Sequence, residues 1–142
     1  MGGLRMENKE TLINKLEKGR AEFAYKCVKE AIEQFATDKK RKKEYRSYTR
    51  KVPQMILSNG LGQTLAFVKA KSEEGNAYDL IYKQLTEYMK SESTSRIKMP
   101  HDKTDLVEWV ISCNSSDYRY IAQETLAFLN WLKRFAEGMI EE

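Results

Sequence analysis

Apolar residues recur along the chain at helical spacing. Over residues 7–36 they fall at positions 12/13, 16, 23/24, 27/28, 31/32 and 35, the i, i+3/i+4 rhythm of one amphipathic helix. At 1.5 Å per residue such a helix runs to about 45 Å, so it either spans the domain or bends, with Gly19 as the softest point. Asp38 is placed to cap a second helix over residues 39–52, in which Tyr45, Tyr48 and Val52 share one face. Pro53 should close that helix, because proline pushes the preceding residue out of the helical region, and then start a short turn, PQMILS. A third helix, residues 60–72 with Ser58 or Asn59 as cap, turns Leu61, Leu65 and Val68 inward. Gly62 inside it costs about 1 kcal/mol relative to alanine. Close approach of another backbone is one reason for that glycine, and ligand contact is the other.

Gly75-Asn76 breaks the pattern, and Asn76 caps a fourth helix to about residue 89, apolar at 77, 80/81, 85 and 88/89. Residues 91–102 are polar, aperiodic and proline-bearing, which reads as a mobile surface loop. Asp102 and Asp105 have the spacing of a capping box opening a short helix through Leu106, Val107, Val110 and Ile111. After a turn at Asn114-Ser115-Ser116, the last helix repeats from 118 through 121/122, 125/126, 128/129, 132 and 135/136 to 139. No alternating run is long enough for a strand. The prediction is an all-α, single-domain bundle over residues 1–142, with about six helices, a long first and a long last one, and residues 1–6 frayed.

Charge changes the picture in one place. Lys and Arg number 25 against 21 acids, a net of +4, but residues 39–51 hold eight basic residues and one acid. That segment is +7, which leaves the remainder of the chain at −3. Lys39, Lys43, Arg46 and Arg50 recur on one helical face, and such a row of like charges must be compensated by acidic neighbours, water or a ligand. A local cationic row suits a polyanion, and arginine adds bidentate phosphate recognition. Arg46, Arg50 and Lys51 therefore read as nucleic-acid contacts on an exposed flank, joined by Lys39, Lys43, Lys69 and Lys71. Tyr45 and Tyr48 could stack on unpaired bases, yet their spacing matches the packing face and favours core. Trp131 lies off the centre of the last helix's buried stripe, so it is either core or a protein-interface anchor.

Catalytic chemistry finds no foothold. The single histidine, His101, sits in the predicted loop with neither Cys27 nor Cys113 near it in sequence. One histidine and two distant cysteines make no zinc pattern, and N-G-L-G is too short to cradle phosphates. No metal or cofactor is expected. Apolar runs such as residues 65–68 stop at four, far short of the roughly 18 a membrane span needs. Two thiols behind an amino-terminal stretch with no apolar leader suggest a cytoplasmic protein.

Three blocks in order carry a resemblance: R-A-E-F-A-Y at 20–25, Y-R-S-Y-T-R-K-V-P-x-x-I-x-x-N-G-L-G-Q-T-L-A-F at 45–67, and L-A-F-L-N-W-L-K-R-F-A-E-G at 126–138. Together they resemble the small helical subunit of the type III-B CRISPR Cmr effector complex, the fifth Cmr-module family, over nearly the whole chain. The resemblance implies a non-enzymatic all-α subunit, present in several copies along a filament assembled on CRISPR RNA. It implies as partners the backbone and large subunits, neighbouring copies of itself, and CRISPR RNA and target RNA along a basic surface. Two other readings stay open from the residues alone. One is a helical DNA-binding regulator, with residues 104–112 and 117 onward as a helix-turn-helix; the other is a structural adaptor without nucleic-acid contact.

Overall fold

The structure, a computed structural model, describes residues 2–93 and 96–142, with side chains from Asn14 onward. The fraying expected at residues 1–6 falls outside the described side chains. Six helices follow one another: α1 (Gly2–Gln34), α2 (Lys39–Asn59), α3 (Leu61–Lys71), α4 (Ala77–Lys90), α5 (Leu106–Ser112) and α6 (Ser115–Met139). Among the described residues there is no strand. The long α1 and α6 form the principal pair, and α2 also packs extensively on α6. Helices α3 and α4 pack on α2, and the short α5 leans on α3.

Small residues let α1 approach closely: Ala24, Val28 and Ala31 are fully buried, as are Phe128, Leu129, Leu132 and Ala136 of α6. The first turns show where the chain's own signals suffice. Asp38, Asn76 and Asn114 each accept a hydrogen bond from the backbone N–H three residues on, at 3.0, 2.8 and 2.8 Å, and so start α2, α4 and α6. Asn114 therefore begins α6 directly, where the sequence suggests a turn.

Two expectations are corrected. Pro53 does not end α2, which runs on to Asn59. An interior proline costs about 3 kcal/mol through its missing N–H and its ring. Here Val52, Pro53 and Ile56 are all buried, and that burial offsets the loss. The extra turns carry Leu57 to the outside, where it is 75% exposed. Nor do Asp102 and Asp105 form a capping box. Helix α5 starts at Leu106, and Asp105 makes no side-chain cap, because Lys69 and Tyr82 engage its carboxylate.

The short helices import their caps instead. The N–H of Gly62, in the first turn of α3, donates to the Tyr118 hydroxyl of α6 at 2.8 Å. The N–H of Val107, in the first turn of α5, donates to the Tyr82 hydroxyl of α4 at 3.0 Å. This also accounts for Gly62. A Cβ there would meet the Tyr118 hydroxyl at 3.3 Å and a methyl of Ile111 at 3.4 Å, so the close approach is by side chains rather than by a backbone. Gly60 joins α2 to α3 at φ +87° and ψ 164°, a conformation open essentially to glycine alone.

The connector between α4 and α5 is non-helical in its described part, and it contributes to the core. Met99 is 1% exposed, its N–H donates to the Met89 carbonyl at 2.8 Å, and the Arg96 guanidinium lies 5.1 Å from the Tyr120 ring. No helix among the described residues is long and apolar enough to cross a membrane.

Candidate nucleic-acid interface

The face of α2 that carries the cationic row is set by what lies on the opposite face. Tyr45 is fully buried, its hydroxyl donating to Gln84 at 2.6 Å, and Gln84 in turn donates to the Cys27 carbonyl at 2.9 Å and to Glu30 at 2.8 Å. Tyr48 stacks on Tyr78 with centroids 3.9 Å apart, and its hydroxyl donates to Glu44 at 2.7 Å. Burial, with the hydrogen bond to Glu44, pushes the Tyr48 phenol up to about 12. Both tyrosines thus serve packing: Tyr45 is sealed in the core, and Tyr48 has one ring face taken by Tyr78.

With that face turned in, Lys39, Lys43, Arg46 and Arg50 run along the side of α2 towards the end of α6. Lys39 and Lys43 are exposed and line a shallow cleft with Ile140, Glu141 and Glu142. Arg50 lies open, with its Nε 3.3 Å from Glu137. Arg46 is the exception to the exposed flank expected of it, since its side chain is only 17% exposed. Its Nη1 lies 3.6 Å from Glu142, and its Nε–H has no hydrogen-bond partner among the described residues. The acidic compensation that the row requires therefore comes in part from Glu137 and Glu142. In sequence Glu142 reads, with Glu141, only as the hydrophilic end of a helix.

Lys51, Lys69 and Lys71 lie on a different side. The ammonium groups of Lys51 and Lys71 sit 5.2 and 5.9 Å from the centroid of the same ring, Phe67, so α2 and α3 bring two separately predicted cations together. Phe67 itself stands edge-on to Tyr78. Lys69 is turned away from that pair and donates to Asp105 at 2.7 Å. Burial works to raise the Asp105 carboxyl, but hydrogen bonds from Lys69 and Tyr82 outweigh it and hold the group below its ordinary range. Trp131 is half-buried, stacks against Phe135 and donates to Glu17 at 3.2 Å. Phe67, Ser47, Glu137 and Glu142 carry no signal in the sequence that would attach them to these cations.

The rest of the polar interior is structural. Glu124, 3% exposed, accepts from Arg20 at 3.0 and 2.7 Å and from the Tyr88 hydroxyl at 2.6 Å, joining α1, α4 and α6. Among the described residues no three His, Cys, Asp or Glu side chains gather to hold a metal ion. Cys27 is buried and Cys113 half-buried; neither is in a disulfide. Burial pushes the Cys27 thiol far up, which keeps it protonated and unreactive. The inner face of α6 is core from Ile121 to Ala136, which leaves that face unavailable to a DNA groove.

Long helices tied by aromatic and ionic contacts, with cations gathered on two outer sides, define an all-helical single-domain protein. The comparisons with known proteins give the class its family. Residues 16–139 match the family model described as CRISPR-associated protein (Cas_Cmr5), and the chain belongs to the Cmr5 family. It is 30% identical over 122 residues to the CRISPR system Cmr subunit Cmr5 of Thermus thermophilus, covering 86% of this chain and 93% of that one. The crystal structure of a CRISPR-associated Cmr5 family protein from Thermus thermophilus superposes with a TM-score of 0.68 at 27% identity, over 89% of this chain and 97% of that one.

Proposed function

We propose that this protein is the non-catalytic small subunit of a type III-B CRISPR Cmr ribonucleoprotein in the cytoplasm, packing along the filament and steadying guide and target RNA through its cationic faces. Family membership supports the assembly. The observation that carries RNA contact is the row Lys39, Lys43, Arg46 and Arg50, which spans about 16 Å on one side of α2 while Tyr45 holds the other side in the core. A strand passing along it meets several cations in succession. Lys51 and Lys71 over Phe67 offer a second, separate cationic patch, and Lys69 contributes least, because Asp105 already holds it. Trp131 is the anchor offered to the backbone subunit, the large subunit or a neighbouring copy; its half-exposed ring is the surface they would cover.

The test is Arg46→Gln with Arg50→Gln in the assembled complex. Glutamine removes charge without setting a new carboxylate against Glu137 and Glu142. Each phosphate contact on a single strand contributes about −0.7 to the slope of log affinity against log salt, so losing two should flatten it by about 1.4. The loss should not depend on RNA sequence. Unchanged affinity and slope, with the variant fully incorporated, would assign the row to solvent or to a protein neighbour.

A further inference from the structure

We infer that the Glu142 carboxylate occupies the seat of a nucleic-acid phosphate at Arg46, so that the protein carries its own competitor for RNA on the α2 row. The inference rests on the function proposed above and adds a site and its regulation to it. Arg46 is an unusual surface cation. Its side chain is 17% exposed, so most of its hydration is gone, yet its Nε–H lacks a partner among the described residues. The carboxylate facing it stands 3.6 Å from Nη1, inside ion-pair range and too far for a hydrogen bond. A largely desolvated guanidinium whose Nη1 meets only a loosely held carboxylate is a seat that a better acceptor can take.

The surroundings suit a tetrahedral oxyanion. Arg46, Lys43, Ser47, Arg50 and Glu142 line a cleft of about 260 Å³, with Ser47 exposed as a hydroxyl donor. A phosphate offers several acceptor oxygens and can take two parallel bonds from the guanidinium fork, which Glu142 does not do at its present distance. Glu142 is also weakly held: its side chain is 87% exposed, and exposed ion pairs are worth little. It therefore blocks the seat against weak or isolated anions and gives way to a strand that engages Lys43 and Arg50 at the same time.

The Arg46 Nε–H provides a direct reporter in the full chain. Its ¹⁵N–¹H resonance is followed in low salt during titration with inorganic phosphate, and separately with a single-stranded RNA oligonucleotide. The same titrations are run on Glu142→Gln. Both ligands should shift the resonance, and Glu142→Gln should tighten both midpoints about threefold, the scale of one exposed ion pair. Arg46→Gln, which removes the charge and the Nε reporter and is therefore followed by fluorescence anisotropy of the labelled oligonucleotide, should weaken binding and remain insensitive to position 142. A response to phosphate with none to RNA overturns the inference, as do midpoints indifferent to Glu142→Gln, or a resonance that neither ligand moves. The two readings fail separately. If Arg46→Gln weakens the assembled complex while Glu142→Gln changes nothing, the RNA function stands and the competitor falls. If the isolated chain responds as expected while the complex ignores Arg46→Gln, the seat stands and its role in the complex falls.

Discussion

Replacing Glu124 tests what holds α1 and α6 together beneath the cationic surface. In Glu124→Ala the Arg20 guanidinium loses two hydrogen bonds and the Tyr88 hydroxyl loses its acceptor. Breaking a buried ion pair from one side costs about 3–5 kcal/mol. Arg20 keeps 17% of its surface and has Glu17 at 3.6 Å, so it recovers part of its solvation; Tyr88, fully buried, recovers none. The low end, about 3 kcal/mol, is the expectation. With unfolding entropy near 2.1 cal/mol/K per residue, a chain of 142 residues should lose about 10 °C in Tm. Glu124→Gln keeps the volume and one acceptor, and should lose less than half of that.

Urea and thermal melts of Arg20→Met, Glu124→Leu and the double variant complete a cycle. The double variant should be more stable than Glu124→Leu alone, because no orphaned guanidinium remains. The pH dependence follows from the same site. Burial works to raise the Glu124 carboxyl, and the bonds from Arg20 and Tyr88 outweigh it, so the folded pKa lies below the ordinary 4.5. A depressed folded pKa means that the stabilisation is complete above about 4.5 and is lost as pH falls through the folded value. Glu124→Gln should remove that share of the acid sensitivity. A loss under 1 kcal/mol for Glu124→Ala, or strict additivity in the cycle, would refute the reasoning.

The imported caps and the α2–α3 corner give further expectations. Tyr118→Phe leaves the Gly62 N–H without its acceptor and should cost about 1 kcal/mol in a denaturant titration. Tyr82→Phe removes both the acceptor for Val107 and a donor to Asp105, and should cost about twice as much. Gly60→Ala, forced to φ +87° and ψ 164°, should lower stability by about 1–3 kcal/mol in the same titration; a loss near zero would mean that the corner relaxes.

Much of this molecule is local and therefore legible. A 3.6-residue apolar rhythm places a helix wherever it occurs, and Asp38 and Asn76 cap helices with atoms three residues from the donors they satisfy. The cationic row follows from spacing alone, and so does the inward turn of Tyr45 beside it. What the sequence leaves undecided depends on partners far along the chain. Whether a proline ends a helix depends on what the continuing turns bury, and here Val52, Pro53 and Ile56 are all buried in the folded chain. The caps of α3 and α5 are tyrosine hydroxyls 56 and 25 residues away, beyond the reach of any capping motif. Lys51 and Lys71 read as separate cations until Phe67 draws them together. The hardest to foresee is Arg46, whose side chain is mostly buried, whose Nε–H has no hydrogen-bond partner among the described residues, and which has Glu142 at 3.6 Å. Charge and periodicity are properties of a segment; desolvation and an unfilled donor belong to the packed surface, which comes into being only when the helices meet.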